Sequence, residues 1–390
     1  MKIAFVVQRY GCEVNGGSET LCRWVAEHLA KYFEVHVVTT CALDYLTWEN
    51  SFPPGLEVIN DVVVHRFAVG KTRDVDDFTR FSEKVFIQPH SYLDELEWME
   101  RQGPYSPDLL GFIRASRQQF DAFIFFTYLY FPTFFGLQLV PEKSLLVPTA
   151  HNEPQIYLDI FRTTFHLPRF LVYNTEAECR FVQKRFGNAH IPSQVVGTGV
   201  DLQPGMEPDE FRRANNIAGP FVLYVGRVHQ SKGCQQLFDD FISFKQENPI
   251  DLKLVLMGKE NMPVPHHPDI VSLGFVSEGE KVAGLRASSL VIVPSYYESL
   301  SLTTLEAWLA EKPVLVNGRC EVLREHCQRS DGGLYYATYD EYKECLGLLC
   351  RDAALRQRLA INGREYVAAN YTWPTIERKY RDILEEVISE

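Results

Sequence analysis

Two glutamates, Glu298 and Glu306, stand eight residues apart in YYESLSLTTLEAW (296–308), with only apolar and hydroxyl residues between them. Carboxylates in so apolar a stretch either face water or accept hydrogen bonds from a ligand. If a helix starts near Leu302, Glu298 lies in the preceding loop and Glu306 about 6 Å further along the axis. The amides of Ser299, Leu300, Ser301, Leu302 and Thr303 then open onto an anion at the positive end of the helix dipole. A second group lies in YVGRVHQSKGCQQL (224–237), where Arg227 and Lys232 sit beside Gly226 and Gly233. Arginine as a planar fork and lysine as a point charge can converge on a diphosphate, though solvated surface cations are the alternative. The third is RYGCEVNGGSET (9–20), in which Gly16-Gly17 precede a helical pattern. Paired glycines let backbone N–H groups approach an anion, yet neither the G-x-G-x-x-G spacing nor a G-K-[ST] is present. Anion-binding groups beside hydroxyl-accepting carboxylates make sense together for a ligand carrying both phosphates and hydroxyls, as a nucleotide-sugar does.

The elements that must position these residues follow from hydrophobic periodicity. Short β-branched and aromatic runs alternate with helical patterns, predicting parallel α/β architecture. Strands are expected at 2–7, 35–40, 62–69, 122–130, 145–150, 170–175 and 193–201. Helices are expected at 18–32, with Ser18 as its N-cap, irregularly over 74–118, and at 175–186. The polar stretch 202–219, with two prolines and two glycines, reads as a linker containing a short helix. The rhythm then restarts with strands at 221–226, 253–258, 270–274, 289–295 and 313–317. Helices are expected there at 232–246, 278–287, 302–310, 321–326 and 373–388. The fold class is therefore α/β, with two Rossmann-like domains facing a central cleft. Their expected bounds are 1–201 and 220–371, with the linker 202–219 between them.

Composition narrows the function. A net charge of −12 over 390 residues argues against a nucleic-acid binder, and mildly against a strong electrostatic membrane anchor. The apolar run at the N-terminus is too short for a signal peptide, and no run of 18 apolar residues occurs. A cytoplasmic setting is the expectation. The nine cysteines form no C-x-x-C pair, and Cys22 and Cys234 read as small core residues. No metal is expected, since no Asp-x-Asp follows a strand at a donor site. Asp74-Val75-Asp76 starts a helical pattern and reads as surface charge. The aromatic run FIFFTYLYFPTFF (123–135) reads as strand-like core.

The segments YVGRVHQSKG, LVLMGKE, LGFVSEGE and VPSYYESLSLTTLEAWLAEKPVLV, with GGSE, TAHNEP (149–154) and VVGTGVD, resemble in order the retaining GT-B glycosyltransferases of family 4. The resemblance covers nearly the whole chain, and its most specific element is Glu298-x7-Glu306. It implies the GT-B fold, with a C-terminal helix at 372–390 packing back on the N-terminal domain. It implies that Glu306 binds the nucleotide ribose, and that Glu298 meets the transferred sugar. Arg227 and Lys232 would clamp the diphosphate, and His151 would contact the donor sugar near the reacting centre. Gly16 and Gly17 would let the backbone approach the donor, while the backbone at Phe275 and Val276 would read the base. Ser299-Leu300-Ser301 departs from the family's Gly-Phe-Gly, and Glu153 is left between an acceptor-side role and a helix cap. The implied activity is metal-independent, retaining transfer of a hexose from a nucleoside diphosphate-sugar to a hydroxyl of a glycan, glycolipid or small acceptor. UDP-hexose is favoured over a GDP-sugar on frequency alone, and no cofactor is implied. Peripheral membrane association has no support in the residues. A nucleotide-sugar 2-epimerase and a silent nucleotide-sugar-binding subunit are the rival readings.

Overall fold

Continuous apolar runs become strands because helices cover both faces of each sheet. A computed structural model describes residues 1–389, divided into one unit of Met1–Gly199 with Trp373 onward and another of Val200–Thr372. The first unit runs β1 (Lys2–Val6), α1 (Gly17–Leu29), β2 (Glu34–Thr40), β3 (Gly55–Ile59), β4 (Val62–Phe67), α2 (Val75–Ile87), α3 (Tyr92–Gln102) and α4 (Pro107–Ser116). It continues with β5 (Ala122–Phe126), α5 (Phe131–Leu137), β6 (Ser144–Val147), α6 (Ile160–His166), β7 (Phe170–Tyr173), α7 (Glu176–Phe186) and β8 (Ser193–Val195). Its sheet has the order β3-β4-β2-β1-β5-β6-β7-β8, parallel except for the β3–β4 hairpin. The chain leaves β1 to one side and returns through β5 on the other, so the β1/β5 boundary is the topological switch point.

Several expectations change here. Ser18 is not the N-cap of α1; Gly16 is, and the Ser18 hydroxyl turns instead to Glu19 Oε2, 2.8 Å away. The strand expected over 122–130 stops at Phe126, where Thr127 takes a φ of 66°. The aromatic run 123–135 is core, but its second half is helix α5, because Pro132 cannot donate to a strand ladder and suits a first helical turn. Asp74 caps α2 by accepting from the Asp77 amide at 2.9 Å. Cys22 and Cys234 are fully buried, as expected of small core residues.

The second unit runs α8 (Pro208–Ala214), β9 (Phe221–Val225), α9 (Cys234–Glu247), β10 (Lys253–Met257), β11 (Ile270–Ser272), α10 (Glu278–Ala287) and β12 (Leu290–Val293). It continues with α11 (Leu302–Leu309), β13 (Val314–Asn317), α12 (Glu321–Ser330), β14 (Gly333–Tyr336), α13 (Tyr339–Arg351) and α14 (Ala353–Asn370). The sheet is wholly parallel, in the order β11-β10-β9-β12-β13-β14, with its switch point between β9 and β12. The expected linker 202–219 is not free-standing: it is part of this unit. Phe211 of α8 is fully buried, and Arg212 Nη2 donates to Ala287 O at 2.6 Å.

Helix α15 (Trp373–Ser389) returns to the first unit. Its Ile376, Tyr380, Ile383, Leu384 and Val387 form a buried stripe at helical spacing. Trp373 stacks on His28 at 3.5 Å, and Glu377 pairs with His28 Nδ1 at 2.7 Å. Among the described residues, no helix is long and apolar enough to cross a membrane.

Candidate functional site

The switch point of the second unit brings together loops that are far apart in sequence. After β9, Gly226 turns at φ 149°, and the Tyr224 hydroxyl donates to Arg227 O at 2.6 Å, pinning the main chain beneath the exposed Arg227. Gly233, at φ 76°, turns the chain into α9; a Cβ there would lie 2.2 Å from Pro294 O. That contact fastens the loop after β9 to the segment after β12. Lys232 Nζ and Glu298 Oε1, 66 residues apart in sequence, consequently form a 2.7 Å ion pair. The ammonium has three donors, and Glu298 takes one of them.

Helix α11 starts from Ser301, which holds a left-handed φ of 68° where glycine would be the easier occupant. Its hydroxyl lies 2.9 Å from Thr304 Oγ1. Buried Leu300 is fixed from below: His326 Nε2–H donates to Leu300 O at 2.9 Å, while Nδ1 faces the Tyr366 hydroxyl at 3.2 Å. Burial pushes His326 down to about 4, so this imidazole is neutral at ordinary pH. Trp308 anchors the same helix, donating to Gly332 O at 2.8 Å and lying where a Cβ on Gly363 would clash.

Glu306 lies in the second turn of α11, 5% exposed. Its Oε1 accepts from Lys281 Nζ at 2.8 Å, and Lys281 also reaches Glu278 Oε2 at 2.7 Å. Burial raises the Glu306 carboxyl above the ordinary range despite the lysine. Burial alone would lower Lys281, but the two carboxylates outweigh it and hold the ammonium above its usual value. Phe275, 69% exposed, and half-buried Val276 sit in the same β11–α10 connection that delivers Lys281. Sequence reasoning missed Lys281 and His326. The Ser277–Glu280 capping box could have placed Lys281 in the first turn of α10, but nothing in the sequence ties it to Glu306.

The remaining expected residues belong to the first unit, around its own switch point. Gly16 borders a buried ion pair, Arg9 Nη2 to Glu19 Oε1 at 2.5 Å, and a Cβ on Gly16 would lie 2.2 Å from Glu19 Oε2. Burial alone would raise Glu19, but Arg9 and the Ser18 hydroxyl hold it below the usual carboxylate range. A Cβ on Gly17 meets nothing within 4 Å. Thr127 and Thr149, just beyond β5 and β6, have φ of 66° and 50°, and such strained residues cluster at functional sites. His151 Nε2 lies 3.3 Å from Glu153 Oε2, and the Tyr128 hydroxyl donates to Glu153 Oε1 at 2.8 Å. Glu153 makes no side-chain helix cap; burial opposes its charge, but His151 and Tyr128 keep it ionised. Fully buried Glu178 accepts from the Ala150 and Asn174 amides, each at 2.6 Å, and so ties the end of β6 to the end of β7 beside His151. Burial pushes its carboxyl up to about 8.

Residues 219–352 match the family model described as Glycosyl transferases group 1, so that domain occupies most of the second unit. The D-inositol 3-phosphate glycosyltransferase of Salinispora tropica is 27% identical over 252 residues, 56% of this chain and 51% of that protein. That of Pseudarthrobacter chlorophenolicus is 29% identical over 161 residues, 37% of this chain and 38% of that protein. The chain thus spans about half, or less, of the length of these curated relatives. Over whole chains, sucrose-phosphate synthase from Thermosynechococcus elongatus superposes with a TM-score of 0.75 at 16% identity, covering 100% of this chain and 99% of that one. Anabaena HepE in complex with UDP-glucose superposes at 0.69 with 16% identity, covering 99% and 100%. These likenesses fix the fold as GT-B, two Rossmann-like α/β domains.

Proposed function

We propose that the chain is a retaining glycosyltransferase that moves a hexose from a nucleoside diphosphate-sugar, UDP-hexose in preference to a GDP-sugar, to an acceptor hydroxyl. The observation that carries this reading is the meeting of Lys232 with Glu298 at the N-terminus of α11, one turn from Glu306 held by Lys281. Cation, helix amides and two carboxylates at one switch point match a ligand of phosphates and hydroxyls. The Glycosyl transferases group 1 match over the same residues and the glycosyltransferase relatives support it. Anabaena HepE, a structural neighbour described in complex with UDP-glucose, supports the preference for UDP.

In this reading Arg227 and Lys232 neutralise the charge that develops on the departing diphosphate. The α11 amides from Ser299 to Leu302 face the phosphates. Glu298 accepts from hydroxyls of the transferred sugar, and Lys281 fixes Glu306 Oε1 so that Oε2 serves the ribose. Phe275 and Val276 border the base. A thermal-shift screen against UDP, GDP, dTDP, ADP and their sugars tests the donor class, since selective binding to the native state raises the melting temperature. One uracil or guanine nucleotide should stabilise the protein; no shift with any of them would sink the reading.

A further inference from the structure

Beyond Glu298, the second sheet holds a cavity that the donor reading leaves unused. Its volume is about 70 Å³, and it lies at the carboxyl ends of β12, β13 and β14, the edge where open parallel sheets take ligands. Tyr296, Arg319, Tyr336 and Tyr339 close it over Gln236 and Asp240 of α9. Tyr296 stands two residues before Glu298, and α9 begins just after Lys232. Asp240, eight residues beyond Lys232, therefore lies on the order of 10 Å along the helix from the Lys232–Glu298 pair.

Asp240 makes this cavity more than a packing gap. It is 4% exposed, and Gln236 Nε2 donates to its Oδ1 at 2.7 Å. Among the described residues Gln236 is its one hydrogen-bond donor, and Arg319 of the same lining favours its charge, so its remaining lone pairs are open to a donor. Asp240, Tyr296 and Tyr336 line the same cavity; burial raises the Asp240 carboxyl, and burial together with Asp240 and Tyr296 raises the Tyr336 hydroxyl. The chemistry is selective: Asp240 repels a phosphate, Arg319 disfavours a cation, and the amide and phenol lining disfavours an apolar group. A neutral polyol edge satisfies all of them, with hydroxyls on Asp240 and Gln236 and C–H faces on the tyrosine rings. The volume has room for a few water molecules, hence for a hydroxymethyl and its neighbouring hydroxyls rather than a whole ring.

We propose that this cavity is a second saccharide subsite, in which Asp240 accepts hydrogen bonds from the hydroxyls of a sugar unit of the acceptor. Assigning that sugar to the acceptor rests on the glycosyl-transfer reading above. Saturation-transfer NMR on the full chain with glucose, galactose, mannose and N-acetylglucosamine tests it. At least one sugar should bind; Asp240→Ala should weaken it by about tenfold or more, as loss of a hydrogen bond to a charged group does, and Tyr296→Ala, which removes a ring face, should weaken it by about threefold or more. Melting curves of both variants check that the fold is retained. No binding by any sugar to the wild-type chain, or equal binding by folded variants, overturns the proposal. A UDP titration separates the two ideas: sugar bound through Asp240 by a chain that ignores UDP keeps the saccharide site and sinks the donor reading.

Discussion

Ser301 holds a left-handed conformation in the loop between the two glutamates, with its hydroxyl against Thr304. A non-glycine residue pays on the order of 1–2 kcal/mol for that geometry. Ser301→Gly relieves the strain while losing the hydroxyl contact, so its unfolding free energy should stay within about 1 kcal/mol of wild type. Ser301→Val, β-branched at a positive φ, should cost about 2 kcal/mol or more and raise the KM for donor. Chemical denaturation and donor kinetics check both. At this scale the sequence was partly legible. Glu298, Glu306, Arg227 and Lys232 stand in short motifs beside strand ends, so residue type and spacing expose them. Lys281 and His326 act across the fold, 25 and 26 residues from the groups they hold, and no local pattern announces such contacts.

Among elements, the β9–α9 turn has little freedom. Gly233→Ala combines a positive φ with a Cβ 2.2 Å from Pro294 O, so it should cost about 2–3 kcal/mol. It should also weaken nucleotide binding, because the displaced backbone carries Lys232 away from Glu298; equal affinity in calorimetry would show that the turn does not set the site. The parallel strands were legible because burial on both faces leaves an unbroken apolar run. The β3 edge strand was missed, since Leu56 and Val58 are 70% and 68% exposed and no buried run marks it. Yet Asn60-Asp61, both at positive φ, carried the hairpin signal. In α14 only Leu359, Ala360, Gly363 and Val367 are buried, too thin an apolar stripe to reveal a helix that seats Trp308 and thus α11. The polar segment 202–219 read as a linker because composition hides its buried anchors, Phe211 and Ile217.

For the whole molecule, the buried Glu178 carboxyl links stability to pH. Its ordinary value is 4.5 and its folded value about 8, so between them the folded chain holds the extra proton. Its contribution is therefore present below about 4.5 and lost as pH rises towards 8, up to a few kcal/mol over that window. The melting temperature of Glu178→Gln should fall less steeply than that of wild type between pH 5 and 8; parallel curves would show that Glu178 is ionised throughout. Two α/β sheets with switch-point loops give the molecule two places for chemistry, and the second is the one proposed for the nucleotide. Isothermal titration of UDP into wild type and Glu306→Ala tests that assignment most directly. Wild type should bind UDP saturably, and Glu306→Ala should bind it about tenfold or more weakly, as expected when hydroxyls lose a charged acceptor. Equal affinity for UDP in the two proteins would contradict it.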